Sequence, residues 1–245
     1  AGFSKIDFYY PFPDYKVPAI IVKDDDNLLS IKGKKLISSM LSSTRSRNYS
    51  GNKEPKISEG RIFSNFIENE ILGCVSNSFL IIAKKNNEAP KIKKPFLYYF
   101  SNTRRYLFAN EMTFSNVDNE IIVTKKWYGK KTKSNLLNLD NEGNHEYKYV
   151  DGNILHYKLV DCYLLNEKEK YFYYLSAWIN LLINENDKID NNFDLIPNNT
   201  IIKNDKTLVF FDYEEWKVVP KLTIIQLIHR YLLINKEHFV WLFDG

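Results

Sequence analysis

Apolar residues recur along this chain with a period of either two or about 3.6, and the switches between them mark most of its elements. Lys5 to Tyr10 alternates as a strand does. Pro11 and Pro13 then forbid a regular helix or a central strand and leave a fixed, aromatic-rich loop as far as Lys16. Residues 24 to 60 are polar and broken, with Asp24-Asp25-Asp26 and a Ser/Arg/Asn-rich stretch from Ser42 to Asn52. This portion reads as a mobile surface excursion. Ile62, Phe63, Phe66, Ile67 and Ile71 return to helical spacing, with Ser58 placed to cap a helix of about three turns. Ser78 to Lys84 reads as a buried strand, and residues 86 to 95 have the composition of an interdomain linker. Three strand patterns follow, Phe96 to Phe100, Tyr106 to Phe114 and Glu120 to Trp127. Residues 129 to 153 are polar and suit one irregular helix, and His156 to Leu165 alternates as two short strands would. From Asn166 the chain turns helical, with Phe172, Leu175, Ile179 and Leu182 on one face and Tyr171, Tyr174 and Trp178 flanking. Such a stripe predicts core between helices rather than a platform for stacking bases. Thr200 to Ile202 and Leu208 to Phe211, joined by Asn204-Asp205-Lys206, read as a hairpin. Leu222 to Leu233 closes the pattern as an apolar helix repeating at Leu222, Ile225, Ile228 and Leu232.

Composition narrows the class. With 245 residues, 44% hydrophobic and 15% aromatic, the chain has material for one large domain or two small ones. A net charge of +4, with lysines interspersed among acids, does not point to nucleic acid. Cys74 and Cys162 are too few and too far apart for a disulfide framework or a zinc site, so a reducing cytoplasm is the expectation. No apolar run approaches the roughly 20 residues that cross a bilayer, and no stretch has the form of a signal peptide. The start at Ala1-Gly2-Phe3 rather than Met, and the end at Phe243-Asp244-Gly245, are what a fragment would show.

The chemistry concentrates between Phe193 and Trp216. A hairpin holds its two ends close, so it would bring Asp194, Asn199 and Asp212 around one small volume. Two carboxylates and an amide carbonyl are hard oxygen ligands that suit Mg²⁺ carrying a phosphate. D-x-x-x-x-N, a hairpin, then an apolar pair before Asp is also the catalytic-loop and metal-loop order of kinases. In that resemblance Asp194 receives the acceptor's proton, Asn199 and Asp212 hold magnesium, and Pro197 stiffens the loop. The three strand patterns ending in Val123-Thr124-Lys125-Lys126 resemble a kinase small lobe, whose lysine grips the α/β-phosphates of ATP. The V-x-K pattern selects Lys125, with Lys126 next, although a lysine at a strand end is ordinarily just solvated. Arg104 and Arg105 stand where the phosphate loop would, and Glu142 is the nearest candidate partner for the lysine. His145 reads as a surface histidine. His229 and Arg230 lie on the last helix, in reach of the site by position, although a solvated face is the ordinary expectation. The pattern departs from kinases in several places. No G-x-G-x-x-G is present, Phe193 precedes Asp194 where His and Arg would stand, and Asp212 is followed by Tyr-Glu-Glu-Trp, leaving open which of Glu214 and Glu215 matters.

AGFSKIDFYYPFPDYKVP, followed later by VSNSFLIIAKK, resembles the C-terminal end of class I S-adenosylmethionine-dependent methyltransferases over residues 1 to 85. The likeness is closest to those fused to a kinase-like (aminoglycoside-phosphotransferase-like) domain in bacterial surface-glycan (O-antigen) synthesis. In that fold the Gly-Phe turn leads into the sixth strand, and the last strand returns antiparallel beside it. The resemblance implies an α/β plus α+β architecture, the last strands of a Rossmann-like methyltransferase followed by a two-lobed protein-kinase-like domain. Its bounds would be residues 1–85 for the methyltransferase portion, 86–95 for the linker and 96–245 for the kinase-like domain. Within the last, the small lobe would take about 96–165 and the large lobe about 166–245. The chain contains no G-x-G, the turn that lets backbone amides approach S-adenosylmethionine, so the cofactor-binding half would lie upstream of Ala1. This chain alone would then not methylate.

The resemblance further implies ATP and Mg²⁺ for the kinase-like domain, and S-adenosylmethionine for the longer protein. The acceptor would be a glycan or sugar phosphate, acted on in the cytoplasm. Association with the inner membrane through other glycan-synthesis proteins is compatible with it. Three functions remain open from sequence: a bifunctional methyltransferase and kinase, a methyltransferase whose degenerate kinase-like domain only binds substrate, and a non-enzymatic scaffold.

Overall fold

The structure, a computed structural model, describes residues 2–42, 59–85, 95–101, 109–128, 145–186, 192–211 and 221–235. It is an α+β protein whose chain divides into two units, residues 1–132 with 141–149 and residues 133–140 with 150–245.

The first unit is built on one seven-stranded sheet. Its strands are β1 (Lys5–Phe12), β2 (Ile20–Lys23), β3 (Leu80–Lys84), β4 (Leu97–Phe100), β5 (Asn110–Val117), β6 (Glu120–Trp127) and β7 (His145–Lys148). They lie in the order β3-β1-β2-β4-β5-β6-β7, and every neighbouring pair is antiparallel. Register explains the core. Phe12 opposes Ile20, Val22 opposes Leu97, and Phe114 stands opposite both Leu97 and Val123, so one face carries an unbroken apolar row. That face is covered by α1 (Asp26–Leu29), α2 (Ile31–Ser42), α3 (Glu59–Glu68) and α4 (Leu72–Val75), which contribute Leu28, Leu36, Ile37, Leu41, Ile67 and Leu72.

Two expectations are corrected here. The polar stretch from residue 24 contains α1 and the twelve-residue α2, because its lysines and serines occupy outward positions while Leu36, Ile37 and Leu41 face the core. Gly33 permits this: a Cβ there would lie 1.8 Å from the Asn27 carbonyl oxygen. Also, β3 is an edge strand rather than a buried one, with Leu80 and Ile81 open to solvent. The β2–β4 pairing carries the sheet from residues 5–23 directly into residues 97–148. The two units divide near residue 149, and most of the expected linker, residues 86–95, lies outside the described residues.

The second unit holds β8 (Asn153–Ile154), α5 (Leu155–Leu164), α6 (Lys168–Asn186), a 3-10 turn (Pro197–Asn199), β9 (Thr200–Ile202), β10 (Leu208–Phe210) and α7 (Ile224–Ile234). The strands form a small antiparallel sheet in the order β10-β9-β8. Leu155, Leu159, Trp178, Leu182, Leu195, Ile196, Ile202, Leu227 and Tyr231 make its core. The residues expected as two strands form α5 instead. Leu155, Leu159 and Cys162 recur at i, i+4 and i+7, and all three are buried. In α6 the buried side is marked by Trp178 and Leu182, whereas Phe172 stands outside it, 62% exposed. In α7 the core positions are Leu227 and Tyr231, and Ile225 is 79% exposed. Among the described residues no helix is long and apolar enough to cross a membrane.

Candidate functional site

The loop from Asn192 to Asn199 is fixed from within and from below. Its apolar members Leu195, Ile196 and Pro197 are buried, and Trp178 on α6 donates its indole N–H to the Leu195 carbonyl at 3.3 Å. The Leu195 and Ile196 amides donate back to the Asn192 and Asp194 carbonyls at 3.0 and 2.9 Å, and the Thr200 hydroxyl donates to the Ile196 carbonyl at 2.9 Å. With its hydrophobic residues sunk, the loop turns Asp194 and Asn199 to the partly accessible side. The Asn199 amide Nδ2 donates to the Asp194 carbonyl oxygen at 3.0 Å and so closes the five-residue span.

The hairpin β9–β10 leaves this loop at Thr200 and returns in register, Leu208 opposite Ile202 and Phe210 opposite Thr200. At its open end the Phe211 amide donates to the Asn199 carbonyl at 2.9 Å. Phe211, the residue before Asp212, is thereby tied to the residue bearing the amide. Asp212 itself lies outside the described residues, as do Arg104, Glu142, Glu214 and Glu215.

Helix α7 and the residues flanking it are bonded to the loop at three places. The Asn192 side chain accepts from the Leu222 amide at 2.8 Å and donates to the Leu222 carbonyl at 2.6 Å, ahead of a capping box between Thr223 and Gln226. Arg230 Nε donates to the Phe193 carbonyl at 3.0 Å, and a terminal nitrogen donates to Asp194 Oδ1 at 3.4 Å. At the far end the amides of Asn198 and Asn235 bond each other reciprocally at 3.0 and 2.9 Å. Burial pulls the Arg230 guanidinium below its ordinary pKa, and the charge of Asp194 and its hydrogen bond act the other way. One residue further on, the buried Tyr231 hydroxyl lies 3.0 Å from His156 Nδ1, and burial holds its pKa well above the usual tyrosine value. Arg230 therefore faces the loop, contrary to the expectation of a solvated face, while His229 is exposed. Only helical phase could have located it from sequence: Arg230 adjoins Leu227 and Tyr231, the core positions of α7, and the predicted stripe was one position out of phase.

The remaining predicted residues belong to the first unit. Lys125 is 7% exposed on β6, opposite Met112 on β5 and His145 on β7, with Nζ 4.6 Å from the Trp127 ring centroid. It continues the buried face of Ile121 and Val123, so it is not the solvated strand-end lysine that composition alone would suggest. Lys126 points to the other face and is exposed, and His145 is exposed on β7.

Asn199 suits a hard cation. Its Nδ2 is committed to the Asp194 backbone carbonyl, which leaves the side-chain oxygen as the amide's ligand atom. Among the described residues no group of three or more His, Cys, Asp and Glu is arranged to hold a metal ion. No family model, curated protein or solved structure matches the chain.

Proposed function

We propose that the second unit is the large lobe of a kinase-like phosphotransferase domain acting on a glycan or sugar phosphate. In this reading the first unit includes the closing strands of a methyltransferase. The observation that carries it is the Asn199 amide bonded to the Asp194 carbonyl at 3.0 Å, at the mouth of a hairpin whose return strand is tied to Asn199. Phosphoryl transfer asks a protein chiefly for position and charge. Asp194 would take the acceptor hydroxyl's proton, and Asn199 with Asp212 would hold the magnesium that spreads charge on the moving phosphoryl group. The nucleotide contact expected from sequence is Lys125.

The methyltransferase part rests on the antiparallel pairing of β1 and β3, Lys5 opposite Lys84 through Tyr9 opposite Leu80, with β3 at the end of the sheet. Ile6 and Phe8 on β1, with Ile81 and Ala83 opposite, are exposed and apolar on the face where Tyr10 and Phe12 are buried. Such a row suits a sheet that continues into residues upstream of Ala1, where S-adenosylmethionine would bind. Cytoplasmic placement, beside glycan-synthesis proteins at the inner membrane, belongs to the same reading.

A second reading is favoured by the continuity of the first unit's sheet. Residues 97–148 extend the strands of residues 5–23, so they are not built as a separate small lobe. The kinase-like elements would then bind the substrate of the methyltransferase without transferring phosphate.

Titration calorimetry with Mg²⁺-ATP separates the two. The phosphotransfer reading expects saturable binding that weakens at least 10-fold in Asp212→Asn. No heat from the folded wild-type chain would overturn it and leave the substrate-binding reading standing.

A further inference from the structure

We propose that Arg230 is the positioning residue for Asp194, supplying from α7 the cationic partner that the residue before Asp194 does not. Its catalytic meaning rests on the phosphotransfer reading above, but its geometry does not. Three contacts converge on one guanidinium. Its Cζ lies 3.4 Å from the Phe193 ring centroid, Nε donates to the Phe193 carbonyl at 3.0 Å, and a terminal nitrogen donates to Asp194 Oδ1 at 3.4 Å.

Each contact removes a different freedom. Stacking on the ring sets the plane of the guanidinium. The Nε bond holds that plane against the backbone of the residue preceding Asp194, so the direction of the terminal nitrogen follows. A carboxylate accepting from that nitrogen has its side-chain torsion chosen for it. Lysine offers a single compact charge and cannot stack and donate in two fixed directions at once, so the site is specific to arginine.

The anchor itself is rigid. Asn192 grips Leu222 just ahead of α7, and Asn235 grips Asn198 just after it, so the helix backbone that carries Arg230 is fixed to both ends of the loop it serves. The loop is thus held from α7 along its length, with a charge delivered at the position of the proton acceptor. If Asp194 receives a proton from a hydroxyl, an orientation error of about 1 Å would cost on the order of 100-fold in turnover.

The test is the orientation of the Asp194 side chain, read by NMR in the intact chain at one fixed pH from its carboxyl carbon chemical shift and its three-bond side-chain couplings. The wild type is expected to show the couplings of a single side-chain rotamer, and Arg230→Gln the averaged couplings of a side chain released from its partner. Arg230→Lys is expected to stay averaged, since the charge returns without the fork. A merely structural Arg230 would lower the denaturation midpoint and leave the Asp194 couplings as they were, and that result overturns the proposal. Should Arg230→Gln not fold, Phe193→Leu decides: it removes the stacking surface alone, and unchanged Asp194 couplings there would also overturn it. If Mg²⁺-ATP fails to bind while the Asp194 side chain is released in Arg230→Gln, the phosphotransfer reading falls and the role of Arg230 as the partner of Asp194 stands.

Discussion

Trp178 is fully buried, with its indole tilted against Tyr231 at 5.8 Å between centroids and its N–H directed at the Leu195 carbonyl. It therefore does two jobs for the candidate site. It fills the space under the loop, and it satisfies a carbonyl that burial would otherwise leave without a donor. Trp178→Phe separates them, since the smaller ring keeps much of the packing but loses the donor. An unsatisfied buried carbonyl costs about 1–3 kcal/mol, so the variant is expected to lose that much in urea denaturation. Loss beyond ~5 kcal/mol would mean that volume, not the hydrogen bond, is the larger part. The aromatic stripe containing Trp178 was legible as core from spacing alone. Arg230 was not, because its contacts are with residues more than 30 positions earlier in the chain, and a helical phase error of one residue moves a side chain by about 100°.

The hairpin β9–β10 needed no such long-range knowledge. Two short β-branched and aromatic runs around Asn204-Asp205-Lys206 specify it locally, and the turn is reinforced by Asp205 Oδ1 accepting from the Thr207 amide and hydroxyl at 2.9 and 2.6 Å. What the sequence could not disclose is the third strand. β8 is two residues long, below the length at which alternation can be read, and it pairs Asn153 with Ile202 and Ile154 with Ile201. Its approach depends on Gly152, where a Cβ would sit 2.4 Å from the Ile202 carbonyl oxygen. Backbone cannot yield as a flexible side chain does, so Gly152→Ala is expected to destabilise the second unit by roughly 1–3 kcal/mol. Hydrogen exchange would locate the damage in β8 and β9, and unchanged protection there would refute the packing argument. The strand-like appearance of α5 has a related origin. Tyr157, Val160, Cys162 and Tyr163 favour strands by type, while the helical recurrence of Leu155, Leu159 and Cys162 becomes visible only when the count begins at Leu155.

Above these elements, the sheet of the first unit has two unequal ends. At one end β7 is entirely exposed and polar, with Lys148 paired to Glu120 at 2.8 Å, as suits an edge facing water. At the other end β3 exposes Leu80 on one face and Ile81 on the other, where Ile81 continues an apolar row through Phe8 and Ile6. Its run of apolar residues predicts a buried strand, whereas its place at the end of the sheet leaves Leu80 and Ile81 open to solvent. An edge of this kind lacks the charges that discourage strand addition, since Lys84 and Lys85 stand only at its end. The isolated chain is therefore expected to self-associate with rising concentration in sedimentation velocity. Ile81→Lys puts a charge in the middle of the row. Because Ile81 is already 56% exposed, the substitution should alter folding stability by less than about 0.5 kcal/mol while shifting the chain toward monomer. A wild-type chain that stays monomeric at high concentration would show that the row is tolerated in water, and would remove the main structural support for a sheet that continues upstream. A wild-type chain that associates and an Ile81→Lys chain that does not would place the contact at β3, the edge against which the methyltransferase reading requires another strand to lie.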